Sequence, residues 1–444
     1  MRQFKLLGVA LGAALLVAAC GGGGDGNQAP AVSYTAVVSF GDSLSDAGTY
    51  KVGPVAALGG GMFTVNGIAG APGAEPVPSY NWAQLVSAAA IGKVNCAART
   101  GGFGVPVTPV AGCTNYAQGG SRVKDPIGTG NAGGITAALT ESVTTQIANF
   151  AIDGNKITGK ELITVLAGAN DLFAQTDTLS RNATLAGGQA LATSLVTQLV
   201  SLAPTAQMAA AQVFIGTAIQ TEAAKSTATP TSIISAAVTA AATHAATNGY
   251  STTAVANAAT IGATAGAAAT TAGNTYAATT GAQIAGAGMV QAATDLVVAV
   301  KGLIAQGAKR IVVVNIPDVS QTPMAMATPA NQQALVLALT KAFNAALQAG
   351  LNGTAEVVLV DAFEENRRQL ADPAHYALTN IKDIACNLST TVNPLASSLA
   401  CNSKNLIPGD TSRYMFADGV HPTPYGHKLL AQYVSKALVT AGWL

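Results

Sequence analysis

Thr35-Ala36-Val37-Val38-Ser39-Phe40-Gly41-Asp42-Ser43-Leu44 is an apolar run that ends in a glycine turn carrying a serine. The run lacks strict polar alternation, as expected of a strand buried on both faces. Three more runs have the same character: Glu161 to Ala167, Lys309 to Ile316 and Ala355 to Asp361, with a shorter one ending at Tyr116. Helical patterns lie between them, over Tyr80 to Ala90, Gln189 to Val200, Ala293 to Ala305, Asn331 to Ala349 and Tyr425 to Ala441. Alternating β and α elements predict an α/β fold, a doubly wound parallel sheet of five strands between helical layers. In such sheets ligands bind beyond the carboxyl ends of the strands. Ser43, Gly120 and Asn170 each follow one of the first three predicted strands, so they are expected on one rim.

Four separated segments carry the chemistry. These are Gly41-Asp42-Ser43-Leu44, Asn115-Tyr116-Ala117-Gln118-Gly119-Gly120, Gly168-Ala169-Asn170-Asp171 and Asp418-Gly419-Val420-His421-Pro422. A serine hydroxyl becomes a nucleophile when a neighbouring base takes its proton, which assigns Ser43 and His421 to those roles. Asp418, three residues earlier, is placed to hold the histidine tautomer. The backbone N–H groups of Ser43 and Gly120 and the amide of Asn170 are the expected oxyanion donors, with Gly119 the alternative to Gly120. Each segment also has a plain structural reading. Gly41-Asp42-Ser43 suits a capped turn, Asn170-Asp171 suits a helix start, and Asp171 is expected to be a cap. His244, His375 and His427 are the other histidines, and none has a carboxylate spaced in a turn before a helix.

With these residues the chain resembles the GDSL, or SGNH, serine hydrolases. Ser43, Gly120, Asn170 and His421 match the four residues for which that family is named, over roughly residues 35–204 and 290–444. The resemblance implies a flavodoxin-like three-layer α/β/α fold, carboxylic ester hydrolysis without cofactor or metal, and a triad completed by Asp418. It leaves the substrate open among lipids, acetylated sugars, thioesters and small esters. The absence of G-x-S-x-G argues against an ordinary α/β-hydrolase elbow.

The start of the chain bears on location. Arg2 and Lys5 precede an apolar run from Leu6 to Ala19, too short to span a bilayer, which reads as a signal peptide over residues 1–19. It closes on Val17-Ala18-Ala19-Cys20, resembling a bacterial lipobox, so Cys20 is the expected lipidated residue and residues 20–33 a glycine-rich tether. The expectation is an exported envelope lipoprotein, on the outer membrane or outside the cell, with the hydrolase over residues 34–444. The other cysteines form an even set, and the pairs Cys96–Cys113 and Cys386–Cys401 each close a loop of about 15 residues, worth ~3 kcal/mol. Metal binding is the rival use of these thiols, and neither C-x-x-C nor H-x-x-x-H spacing supports it.

Charge supplies an exclusion. The chain has 22 Lys and Arg against 21 Asp and Glu, so no electrostatic case for nucleic acid arises. Gly128-Thr129-Gly130-Asn131-Ala132-Gly133 spells a dinucleotide fingerprint, but Lys124-Asp125-Pro126 stands where a buried strand is required, so a loop walling the pocket is expected. Trp82 is expected in the core, and Asn315-Ile316-Pro317-Asp318 near the rim.

One stretch departs from a compact member of the family. Residues 205–289 are rich in Ala, Thr and Gly, and no Asp, Glu, Lys or Arg occurs from Ser226 to Thr294. Helical spacing on either side of Asn248-Gly249 predicts a helical hairpin, serving as a lid, an acyl-binding cap or a lipid-contacting surface, or as a low-complexity excursion without a catalytic role. A polysaccharide O-deacetylase and a non-catalytic envelope lipoprotein binding a ligand or partner are the competing functions.

Overall fold

The structure, a computed structural model, is described for residues 32–67, 79–134 and 136–444. The signal peptide, Cys20 and most of the expected tether lie outside the described residues. In chain order the main elements are β1 (Ala36–Gly41), α1 (Trp82–Ile91), α2 (Val143–Ile152), β2 (Glu161–Leu166), α3 (Ala169–Val200), α4 (Met208–Ala223), α5 (Pro230–Thr247), α6 (Ala258–Tyr276), α7 (Ala282–Ala305), β3 (Ile311–Val314), α8 (Ala330–Leu351), β4 (Val357–Val360), α9 (Ala362–Ala371) and α10 (Pro424–Thr440).

All neighbours in the central sheet are parallel, in the order β1-β2-β3-β4, with Val38 opposite Ile163, Ile163 opposite Ile311 and Ile311 opposite Val357. The expected sheet of five therefore holds four full strands. The run ending at Tyr116 is a short edge beyond β1, where Ser39 N–H donates to the Thr114 carbonyl at 3.0 Å and Tyr116 N–H to the Ser39 carbonyl at 2.8 Å. Its pairing runs on to Gln118, whose N–H donates to the Gly41 carbonyl at 3.1 Å, before the chain turns away into the Gly119-Gly120 loop. Counting this edge, the chain visits the sheet in the flavodoxin-like order, and the switch in direction falls at β1, where such folds open a crevice.

Alternation along the strands separates two cores. Val38, Phe40, Ile163, Val165, Ile311 and Val313 face α2, α7 and α8. Val37, Leu162, Leu166, Val312, Val314 and Val360 face α1 and α10, where Trp82 is fully buried as expected of a core residue. Helices α7 and α8 lie in apolar stretches long enough to cross a membrane, yet each sends buried residues, such as Leu296 and Phe343, into the first core. Both expected disulfides are formed, Cys96–Cys113 beside the edge segment and Cys386–Cys401 in the loop before the last helix.

The expected hairpin is half of a larger unit. Helix α3 runs unbroken for 32 residues, and its second half packs with α4, α5 and α6 around Leu191, Leu195, Leu199, Ile215, Ile219, Val238 and Ile261. The inserted helices thus share a core with α3, and the insertion begins inside that helix, ahead of residue 205. Helices α6 and α7 form one rod joined by a π-helical turn, Ala277–Gly281.

Candidate active site

The four segments meet at the carboxyl end of the sheet. Asp42 N–H still pairs with the Leu166 carbonyl at 3.2 Å, after which the turn closes on Asp42. Its carbonyl accepts from Ser45 and Asp46, and its Oδ1 from Leu44 N–H at 3.0 Å. Between these bonded groups Ser43 N–H has no acceptor among the described residues, and Ser43 lines a cavity of about 1340 Å³.

Ser43 Oγ lies 2.9 Å from His421 Nε2, and His421 Nδ1 lies 2.8 and 2.9 Å from the two oxygens of Asp418. Asp418 Oδ1 also accepts from the backbone N–H groups of Val420 and His421, at 2.9 and 2.8 Å. That local turn explains the three-residue spacing. Burial pushes the Asp418 carboxyl up, but the His421 charge and the bonds from His421, Ser398 and Val420 outweigh it and hold the group well below the usual carboxylate range. Asp418 therefore stays ionised and fixes Nδ1 as the protonated nitrogen, leaving Nε2 to face the serine.

The Gly119-Gly120 loop separates the two glycines. Gly119 N–H donates to Asp46 Oδ2 at 2.9 Å, and its carbonyl accepts from Tyr50 Oη at 2.8 Å. Gly120 N–H has no acceptor among the described residues, and its φ of +82° suits glycine. A Cβ on Gly120 would stand 2.1 Å from the Thr129 carbonyl oxygen, so the loop 128–133 walls the cavity as expected. Asn170 Nδ2 donates one hydrogen to the Ser121 carbonyl at 3.0 Å, which ties its amide to the same loop.

Asp171 is not the expected cap. Gly168 occupies the N-cap of α3, and the Asp171 carboxylate instead accepts from Val123 N–H at 2.9 Å and Arg122 Nε at 3.1 Å. It clamps the segment that follows Gly119-Gly120 to α3.

Four supporting residues carry no motif. Asp46 joins the Ser43 turn to the Gly119 loop, with Oδ1 accepting from Gly48 and Thr49. Gln146 of α2 brackets Gly41, accepting from its N–H and donating to its carbonyl, both at 2.8 Å. The Phe63 ring stands 5.0 Å from His421, centroid to centroid, and fills the space a Cβ on Gly119 would need. Ser398, on the loop held by Cys386–Cys401, gives its N–H to Asp418 Oδ2 at 3.1 Å. Their signal in the sequence is weak, since each acts on a segment distant in the chain or from a loop without a distinctive pattern.

The other histidines lie elsewhere. His427 is buried beneath the site, with its pKa lowered to about 3 by desolvation, which keeps it neutral. His244 is buried in the inserted bundle with Nδ1 2.8 Å from Tyr250 Oη, and His375 packs against Tyr376. Ile316, Pro317 and Asp318 reach the cavity wall as expected.

Residues 274–434 match the family model of the GDSL-like lipases and acylhydrolases. The matched stretch holds Asp418 and His421, while Ser43, Gly120 and Asn170 precede it. No curated protein matches the chain.

Proposed function

From a chain that carries a GDSL-like acylhydrolase domain, which supports an ester hydrolase in general, we propose that the protein hydrolyses carboxylic esters through an acyl-enzyme on Ser43. The observation that carries this reading is the line Ser43 Oγ, His421 Nε2, Asp418, ending beside two backbone N–H groups that have no acceptor among the described residues.

The steps follow from the geometry. His421 Nε2 takes the Ser43 proton as Oγ attacks the acyl carbon, and Asp418 stabilises the imidazolium that forms. The carbonyl oxygen becomes an oxyanion that accepts from Ser43 N–H, Gly120 N–H and Asn170 Nδ2. His421 then returns the proton to the leaving alkoxide. Water deprotonated by the same nitrogen attacks the acyl-serine, and the second oxyanion collapses to release the carboxylic acid and restore Ser43. Gly120 is preferred to Gly119 because the Gly119 N–H is already held by Asp46.

Hydrolysis of nitrophenyl esters from acetyl to palmitoyl, compared with Ser43→Ala, tests the proposal. Turnover that disappears in the variant is expected. No turnover in either protein, together with no labelling of Ser43 by a fluorophosphonate, overturns it in favour of a binding role. A native chain that turns over acetylated polysaccharide and no nitrophenyl ester instead supports the deacetylase.

We further propose that the mature chain begins at a lipidated Cys20 in the cell envelope. The lipobox-like leader and the two disulfides, which suit an oxidising compartment, support this. Labelled palmitate retained by the native chain and lost in Cys20→Ser is the expected result.

A further inference from the structure

The cavity does not end at the Ser43 rim. On α3 its walls are Ala169, Phe173, Thr176, Leu179, Ala183 and Gly187, a recurrence every three or four residues that keeps to one helix face for five turns. Opposite lie Ala269, Gly273, Ala277, Ala278 and Ala282, again on one face, passing through the π-helical turn. Such turns recur at functional sites because the extra residue re-aims the side chains beyond it.

These two faces run antiparallel and very close. A Cβ on Gly187 would stand 3.0 Å from the Ala269 carbonyl oxygen, and one on Gly273 would stand 3.1 Å from that of Ala183. Glycine inside a helix costs about 1 kcal/mol relative to alanine, so its presence at both crossings has a packing reason. The seam that results has methyl groups and backbone for most of its walls, with the hydroxyls of Ser180, Thr184 and Thr270 and the amide of Asn274 beside them. Its one charged lining group on these helices is Asp177, which is exposed. Phe173 and, from α8, Leu335 flank the end nearest Ser43.

We propose that this seam is an acyl-chain groove, that the inserted helix α6 and the π-helical turn form its far wall, and that the preferred substrate is an ester of one long, unbranched fatty acid. This rests on the ester-hydrolase reading above and names its substrate class. Length follows from helix geometry. From Asn170 to Gly187 the helix rises about 25 Å at 1.5 Å per residue. An extended hydrocarbon with bonds of about 1.5 Å advances about 1.25 Å per carbon, so the groove holds an acyl chain of up to about 20 carbons. A polar head group gains little from a lining made mostly of alanine, glycine and apolar side chains, whereas each added methylene removed from water raises kcat/KM by about fourfold.

The test is a ruler. The native protein is assayed on nitrophenyl esters from acetyl to stearoyl at fixed detergent, beside Thr176→Trp, Ala183→Trp and, on the outer face of the insertion, Val213→Trp. Thr176 lies about 9 Å along α3 from Asn170 and Ala183 about 20 Å. The native kcat/KM is expected to climb through palmitoyl to stearoyl. Thr176→Trp breaks the climb near eight carbons and lowers the palmitoyl-to-butyryl ratio at least about thirtyfold. Ala183→Trp breaks it near about 16 carbons, keeping the native palmitoyl-to-butyryl ratio while the stearoyl-to-palmitoyl ratio falls about tenfold. Val213→Trp leaves the ladder as it was.

A native optimum at acetyl or butyryl overturns the groove without needing any variant to fold, and so do two tryptophan variants that break the ladder at the same rung. If Ser43 is labelled by a fluorophosphonate while the ratios stay flat, the groove fails and the hydrolase reading stands. If nothing is turned over or labelled, both fail.

Discussion

The rim around Ser43 and the helical bundle that continues from it are made of opposite materials. The rim buries Asp42, Asp46, Asn115, Gln118, Gln146, Asn170, Asp171 and Asp418 within a few turns of chain, nearly all of them hydrogen-bonded. The bundle fills its core with Leu, Ile, Val and Ala, and residues 226–294 hold no Asp, Glu, Lys or Arg. A network of directional bonds fixes atoms to the tolerance that acyl transfer demands, and a partly satisfied network is costly. A packing of small apolar groups fixes a shape and leaves room beside it. On the function proposed above, the protein would separate where reaction geometry is set from where substrate shape is read.

If that division holds, rim substitutions reduce turnover on every ester, starting with the reacting atoms. Ser43→Ala is expected to lower kcat about 10⁴-fold or more, and His421→Ala by a similar factor, with the folded far-ultraviolet spectrum retained. Asp418→Asn lets the ring rotate to the wrong tautomer and lowers kcat about 10³- to 10⁴-fold. Steady-state kinetics on nitrophenyl butyrate check all three, and a loss below tenfold in any of them breaks the comparison at its centre.

Asp46 touches no reacting atom, so it sharpens the comparison. It holds the Gly119 N–H and the turn after Ser43 at once, and Asp46→Ala releases both. A fall in kcat of about 10²-fold with KM little changed is expected, as for loss of an oxyanion donor. A change confined to KM would mean that Asp46 shapes the binding surface and leaves the donors where they are.

These effects differ in how far the sequence announces them. Ser43, Asp418 and His421 are legible because acyl transfer requires those residue types, and Asp418 reaches His421 within one local turn. Asp46, Gln146, Phe63 and Ser398 are not, because each side chain works across a fold that brings distant segments together, and an Asp or Gln has many uses. The two disulfides are legible because each closes a short loop. The strands are legible from runs buried on both faces, but the edge at Tyr116 counts for more in the sequence than in the sheet, since it meets β1 as an isolated bridge at Asn115 and not as a full strand. The start of the insertion is hidden because α3 crosses the boundary without a break, so one helix serves the sheet with its first half and the bundle with its second. Gly187 and Gly188 look like a weak point in a helix until the close approach of α6 explains the first.

Acid and base should separate the same regions. Burial raises the Asp42 pKa from 3.8 to about 7, and its Oδ2 has no hydrogen-bond partner among the described residues. The folded protein therefore holds this proton more tightly than the unfolded chain. The stability contribution is greatest below about pH 4, falls as pH rises towards 7, and stays low above it. Asp42→Asn removes the titration, so it is expected to gain about 1–3 kcal/mol over the native protein at pH 8 and nothing at pH 4, each tenfold change in proton affinity being worth about 1.36 kcal/mol. Denaturant melts at the two pH values check the sign. Equal effects at both would mean that water or a neighbour already satisfies Oδ2.

The smallest expected effect on turnover comes from the interior of the bundle. Leu195 is fully buried on the second half of α3, among residues that do not line the cavity, and Leu195→Ala removes about 2–5 kcal/mol of packing. Because Leu195 sits more than 20 residues along the helix from Asn170, that loss is expected to stay in the bundle, while the Asp171 clamp and the sheet hold the reacting groups. Hydrolysis of nitrophenyl acetate below the new melting temperature should therefore stay within about twofold of native, while hydrogen exchange in α4 and α5 accelerates. Exchange that accelerates equally in β1 and β2 would show bundle and sheet to unfold as one cooperative unit. The two regions would then differ in chemistry while sharing a single stability, and the long unbroken α3 would be the element that couples them.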